Sequence, residues 1–321
     1  MGRPRVPVPA SDVSAMPPVT TSEIVRQTIA GRRRDVGGRL VEAALLLTLL
    51  LSLAILIALL GDIAGKGLSV FRDRGADFIT SPGSTLPSRA GIWQGLTGSL
   101  TLMVFVAALA FPIGVGAAVY LEEYARDTRF TRFINTNIRN LAGVPSIVYG
   151  LLGLAIFVEA LSGFTGGRSV ISGGVTLAIL VLPIVIIVSA EALRAVPQSI
   201  REAGYGVGAT KWEVIRSHVL PYAAPGIFTG TILALARAFG ETAPLLLVGA
   251  VTGFFTTGSG ELIDRLQGFY TSLPTVIFDW SRRPQEEFQA LTAAAIMVLM
   301  GVILLVNATA IFLRNRYERR W

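Results

Sequence analysis

The chain has 321 residues, 52% of them hydrophobic and only 15% charged, with a mean hydropathy of +0.62. Ordinary soluble domains carry about 25% charge, so this composition excludes a water-soluble protein and points to lipid. With no cysteine and a single histidine, His218, the chain offers no disulfide framework, thiolate metal site, histidine cluster or cysteine nucleophile. The formal net charge of +7 fits either nucleic acid or a membrane orientation signal, and the placement of the basic residues decides between them.

Taken from the amino terminus, the Pro-rich opening MGRPRVPVPASDVSAMPPV lacks apolar periodicity, and residues 1–39 read as a disordered cytoplasmic tail with no assigned function. Arg32–Arg34 ahead of an apolar run suggests a twin-arginine export signal or a basic nucleic-acid arm. Five further apolar segments and the lack of a clear small-residue cleavage site argue against both. The charge-free windows are Ala43–Gly61, Ala90–Leu121, Asn140–Val158, Ser169–Ala190, Ser217–Ala236 continuing past two charges to Gly260, and Phe288–Leu313. Each holds about the 20 residues that cross a bilayer as helix. They predict six transmembrane helices, roughly 41–62, 96–121, 140–160, 170–191, 227–251 and 291–313.

The basic residues orient these helices. With a cytoplasmic amino terminus, the inner segments hold nineteen, among them Arg126, Arg129, Arg132 and Arg139, then Arg194, Arg201, Lys211 and Arg216. The outer loops hold eight, and Arg237 is left within a helix. The positive-inside rule therefore places both termini in the cytoplasm, and nucleic acid is not an expected partner.

Pro112, Pro145, Pro183 and Pro244 fall in apolar segments. Each is either a packing kink or a break whose freed backbone groups line a cavity. Gly114, Gly116, Ala117 and Ala118 allow close helix–helix approach and indicate a tightly packed bundle.

The connection from Glu191 to Pro225, EALRAVPQSIREAGYGVGATKWEVIRSHVLPYAAP, is long for a compact bundle, where 2–8 residues are usual. Pro197 is a plausible helix start, with a short helix over Ser199–Gly208. Thr210 is placed to cap a second over Lys211–Val219 before Pro221 stops it. A short helix pair on the cytoplasmic face has the look of a docking surface.

Glu202, Ala203, Gly204 and Gly208, followed by Leu220 and Pro221, resemble the EAA loop of type I ABC importer permeases, E-A-A-x3-G-x9-I-x-L-P. Gly204 replaces the second Ala, at a cost of about 1 kcal/mol in helix propensity, and His218 stands where the motif has Ile. Three further stretches are similar to the PstA-type permease subunits of phosphate importers: GSLTLMVFVAALAFPIGVGAAVYLEEYA (98–125), NLAGVPSIVYGLLGL (140–154) and ALARAFGETAPLLLVGA (234–250). The resemblance covers roughly residues 90–310. It implies an all-α membrane protein with the type I importer permease fold, in which residues 90–313 form the transport domain, the 191–225 loop couples to the ATPase, 40–62 is an added first span and 314–321 a second cytoplasmic tail. It further implies a homologous second permease, two copies of a cytoplasmic ATPase, and an extracytoplasmic phosphate-binding protein. The implied function is ATP-driven import of inorganic phosphate across the bacterial inner membrane. Sulfate or molybdate importers of the same architecture are the near alternative. An ATP-independent secondary transporter or a channel is the distant one, and has no use for an EAA loop.

Arg237, Glu241 and Thr242 belong to the motif R-A-F-G-E-T. Charges at bilayer depth cost about 2.5–3.5 kcal/mol on insertion scales and face protein or an aqueous path. Arg237 and Glu241 are four positions apart, which puts them on one helix face where they can pair. Two readings stand: a buried stabilising ion pair, or an arginine that transiently holds a tetrahedral oxyanion while Glu241 neutralises it in the anion's absence. Thr97, Ser99 and Thr101, with Ser146 and Tyr149, are weaker candidates for the substrate path, since interhelical hydrogen bonds use the same groups. Glu122, Glu123 and Arg126 read as a salt-linked helix end, and His218 as a structural or docking residue. Neither Lys66 nor Lys211 fits a Walker A sequence. No catalytic residue, cofactor or metal is expected, and the energy must come from a partner.

Overall fold

A computed structural model describes residues 36–250 and 262–317. The chain divides into two units, residues 1–60 and 61–321. The described part of the first unit is the opening stretch of α1 (Val36–Arg74). That helix has 39 residues, about 58 Å at 1.5 Å per residue. It starts inside the expected 1–39 tail and continues well past the expected end at residue 62. Asp62 and Lys66 do not stop it, because they pair across one turn at 2.8 Å.

The second unit is built on α3 (Trp93–Val119) and α7 (Val170–Arg194), which pack along each other, with α10 (Leu220–Phe239) against α7. Their shared core includes Leu102, Val106, Val181, Val185, Ala234 and Ala238. Pro112 and Pro183 lie inside continuous helices. Gly114 and Ala118 are buried, whereas Gly116 faces open space. Ser169 starts α7 by accepting the amide of Ser172 at 3.2 Å.

Two of the six expected spans are not single helices. The third, 140–160, is a bent pair: α4 (Arg129–Ala142) meets α5 (Ser146–Gly153) and its π-helical extension Leu154–Ala160 at 98°. Pro145 causes the break, since it donates no amide and pushes Val144 out of helical backbone. The fifth, 227–251, is displaced. Its long helical run is Lys211–Phe239, and after Gly240 the chain restarts as α11 (Ala243–Val248). Pro244 in the first turn of α11 bars continuation of α10. Residues 251–261 lie outside those described. Among the described residues five helices are long and apolar enough to cross a membrane, and a sixth span is reached if the bent pair is counted as one.

The two interrupted segments pack on each other. A β-carbon on Gly150 would stand 2.7 Å from the Cα of Pro244, closer than real contacts allow.

The described residues between the first two expected spans and between the last two contain a core of their own. The end of α1, α2 (Asp77–Thr80), α13 (Leu273–Ser281) and the start of α14 (Glu286–Tyr317) enclose Val70, Phe78, Ile92, Trp280 and Phe288. Between α11 and α13 lies the short α12 (Leu262–Gln267). Arg74 ties the cap by donating to the carbonyls of Ala90 (2.7 Å) and Pro87 (3.2 Å). Helix α14 runs to Tyr317, beyond the expected 291–313, so the 314–321 tail begins as helix.

A side chain at Gly150 must push α5 and α11 apart. Gly150→Val is expected to destabilise by about 1–3 kcal/mol through overpacking, read as a lower unfolding temperature of the detergent-solubilised protein, whereas Gly116→Ala at an open helical position does not lower it.

Candidate translocation and coupling sites

The 191–225 connection folds as a compact helical pair. Helix α8 (Gln198–Gly206) starts after Pro197, and α9 (Lys211–Val214) starts at a capping box in which Thr210 Oγ1 accepts the Glu213 amide (3.4 Å) while the Glu213 carboxylate accepts the Thr210 amide (2.7 Å). Between them Gly208 has φ +83°, a left-handed conformation that side-chain-bearing residues rarely adopt. Gly204, the departure from the EAA pattern, is buried, and a β-carbon there would sit 2.7 Å from Val214 Cγ2. The helix propensity it forfeits is offset by close approach of α8 to α9. Pro221 does not end the second helix. A π-helical turn, Ile215–Val219, leads straight into α10, with Pro221 in that helix's first turn, where its missing amide is not needed.

Glu202, Ala203 and Gly208 are exposed, Leu220 is half-buried and Pro221 is exposed. Around the first three stand Tyr205, Val207 and Trp212, all exposed. These apolar residues complete a surface that the motif alone does not mark, and their signal in the sequence was three large apolar side chains within eight positions of a polar loop.

The pair is anchored to a second π-helical turn, Tyr120–Tyr124, at the end of α3. Arg201 Nη2 meets Glu123 Oε1 at 2.7 Å, with side chains 14% and 6% exposed. Arg201 also donates to the carbonyls of Val196 (2.8 Å) and Leu193 (3.0 Å). Arg194 meets Glu122 at 2.7 Å, and the Lys211 ammonium lies 5.0 Å from the Tyr124 ring centroid. The salt-linked helix end expected of Glu122 and Glu123 is therefore a clamp on the loop, and Arg201 is the residue of this candidate site that sequence reasoning passed over.

At the other candidate site, Arg237 occupies the last turn of α10, whereas Glu241 lies beyond its end. The two are not on one helical face as expected. Arg237 Nε stands 3.8 Å from Glu241 Oε1, too long for a hydrogen bond, and the side chains are 62% and 18% exposed. The two thus form a loose ion pair in which the arginine is exposed and the glutamate half-buried. Thr242 precedes α11 without a capping bond, and Ser146 opens α5, half-buried.

The remaining hydroxyls are committed elsewhere. Thr97 donates to Trp93 O (2.8 Å) and Thr101 to Thr97 O (2.9 Å). Ser99, buried, accepts the Leu273 amide at the start of α13 (2.8 Å), and Tyr149 donates across the α4–α5 break to Leu141 O (2.9 Å). A cavity lined by Ser99 and Phe239 has about 10 Å³, room for one water.

A family model described as the binding-protein-dependent transport system inner membrane component matches residues 29–319. The chain belongs to that family. It is similar to the phosphate transport system permease protein PstA of Yersinia pestis, 35% identical over 260 residues, which are 79% of this chain and 81% of that one. It is also similar to the probable ABC transporter permease protein YqgI of Bacillus subtilis (strain 168), 36% identical over 199 residues, 62% of this chain and 66% of that relative's length. Among solved structures, a bacterial alginate ABC transporter in complex with an alginate pentasaccharide-bound periplasmic protein shares the fold, with a TM-score of 0.61, 16% identity, and coverage of 88% of this chain and 98% of that one. This inner membrane component therefore has the all-α type I importer permease fold.

The buried Arg201–Glu123 contact and the half-exposed Arg194–Glu122 contact should differ in weight. Removing one partner of a buried pair costs about 3–5 kcal/mol, whereas exposed pairs contribute about 0–1 kcal/mol. Glu123→Ala is expected to expose the 198–210 segment to limited proteolysis in the folded protein, and Arg194→Ala to leave its cleavage rate within about twofold of wild type.

Proposed function

We propose that this family member is a non-catalytic permease subunit of an ATP-driven importer of inorganic phosphate. It pairs with a homologous permease, sits on two copies of a cytoplasmic ATPase and receives phosphate from an extracytoplasmic binding protein. Residues 90–313 form the transport domain, and both termini and the 191–225 loop are cytoplasmic. The phosphate transport permease of Yersinia pestis, matched over most of both chains, carries the choice of substrate.

The physical support is the open guanidinium of Arg237. Its planar fork matches a tetrahedral oxyanion, and the carboxylate of Glu241, 3.8 Å away, is near enough to compete for it yet not bonded to it. Such competition keeps anion binding weak enough for release. Thr242 and Ser146 are the other polar groups proposed for this path. The cavity beside Ser99 holds no more than a water, and the exposed position of Arg237 supports a phosphate path at the surface of this chain, against the second permease. In the proposed coupling surface, Glu202, Ala203 and Gly208 meet the ATPase together with Tyr205, Val207 and Trp212. Gly204, Leu220 and Pro221 hold its shape.

In membranes carrying matched amounts of assembled complex, the Arg237→Gln, Glu241→Gln double variant is expected to lose phosphate uptake by about tenfold or more, the equivalent of at least one charge-assisted hydrogen bond. Arg237→Lys should retain partial activity, since a point charge lacks the fork. Wild-type uptake by the double variant would remove Arg237 from the mechanism, and wild-type complexes that carry sulfate in preference to phosphate would replace the substrate.

Coupling has a separate test. Gly208→Trp forces a bulky residue into a left-handed position, at a cost of about 1–2 kcal/mol, and should abolish both uptake and ATPase association while the permease remains inserted. Unchanged association and transport would show that the loop is not the docking element.

A further inference from the structure

The transport function does not account for α4, Arg129–Ala142, whose sequence RFTRFINTNIRNLA is too polar to span a bilayer and yet strongly two-sided. Spaced at three and four residues, Phe130, Phe133, Ile134, Ile138 and Leu141 share one arc. Arg132, Asn135, Thr136 and Arg139 lie opposite. The inner edge of the apolar arc is used within the chain: Ile134 and Ile138 are half-buried, and Ile138 packs against the core that contains Ala190 and Leu193 of α7. The outer edge is not. Phe130 and Phe133 are 70% and 63% exposed, and Leu141 is exposed beside them.

The charges around this edge have one sign. Between residues 126 and 142 there are four arginines and one acidic residue, Asp127. Asp127 is taken by Arg132 at 2.9 Å. Arg126, Arg129 and Arg139 are exposed and make no ion pair among the described residues. The 98° bend at Gly143–Pro145 turns α4 across the direction of the apolar segment that follows it. If that segment enters the bilayer, α4 lies along the bilayer surface. A helix so placed, with phenylalanines on one edge and unpaired arginines beside them, has the chemistry of an interfacial helix, whose rings enter the acyl boundary while its cations meet headgroup phosphates.

We propose that α4 is a membrane-surface helix that seats Phe130, Phe133 and Leu141 among lipid chains and binds anionic glycerophospholipid headgroups through Arg126, Arg129 and Arg139. The leaflet is the cytoplasmic one. That detail rests on the orientation proposed above, whereas the depth of the helix does not.

Because the chain has no cysteine, Phe133→Cys and Thr136→Cys each give one site for a nitroxide label. The labelled complex, assembled and active in uptake, is placed in vesicles of phosphatidylglycerol and phosphatidylcholine, and collision of the label with oxygen and with a water-soluble nickel chelate is measured. At position 133 the label should favour oxygen, and at 136 nickel. The triple variant Arg126→Gln, Arg129→Gln, Arg139→Gln should retain at least about threefold less co-purifying phosphatidylglycerol. A label at 133 open to nickel would put the face in water, and one shielded from both reagents would put it against a protein partner. Either result overturns the proposal, as does unchanged phosphatidylglycerol retention in the triple variant. Reduction of the 136 label by impermeant ascorbate added outside intact cells would reverse the orientation while leaving the depth result intact.

Discussion

Inside hydrocarbon no water is at hand for a freed amide or carbonyl, so every interruption of a helix must be closed by the protein itself. Here that constraint governs two places, Gly143–Pro145 and Gly240–Thr242. At the first, Tyr149 reaches back to the Leu141 carbonyl and supplies the donor that Pro145 lacks. At the second, the amides of Gly240 and Glu241 turn to the carbonyls of Arg237 and Ala238, each at 3.1 Å, and the next helix begins two residues later. The helices that follow the two breaks are then packed together, Gly150 of α5 on Pro244 of α11. The exposed guanidinium of Arg237 and the displaced carboxylate of Glu241 follow from the second break. An unbroken helix would have paired them tightly.

Hydrophobic windows were enough to read the number of apolar segments, and the residues from Pro197 to Thr210 were enough to foresee a short helical pair in the 191–225 connection. What windows cannot show is direction within a segment. The stretch 140–160 is apolar throughout, but Pro145 divides it, and the polar 129–139 region before it is helical although no hydropathy scan marks it. Pro221 misled in the opposite sense: a proline normally ends a helix, but after a π-turn it sits at a new start and the ladder continues. Phe78, Trp280 and Phe288 lie too far apart in sequence, 202 positions from first to second, for a local pattern to disclose their shared core.

The candidate sites were legible to different depths. Motif residues around Gly208 were visible because a left-handed turn demands glycine. Arg201 was not, because one arginine among several in a basic loop has no distinguishing neighbour; its partner Glu123 is 78 residues away. Hydroxyls were the least legible of all. Ser99 and Tyr149 look like anion donors in a list of polar residues, but the first receives an amide from α13 and the second closes a helix break.

One feature of α3 joins the two ends of the molecule. The helix and its π-turn form an uninterrupted strut from Trp93 to Tyr124. At one end Ser99 grips the start of α13, and through it the core around Phe78 and Trp280. At the other, Glu122 and Glu123 grip the coupling loop. No slack connection separates the loop that carries Tyr205 and Trp212 from this strut, because Arg201 holds it to Glu123. The α13 core and the 191–225 loop are thereby tied to one continuous helical element that packs along α7 beside Val106 and Val185.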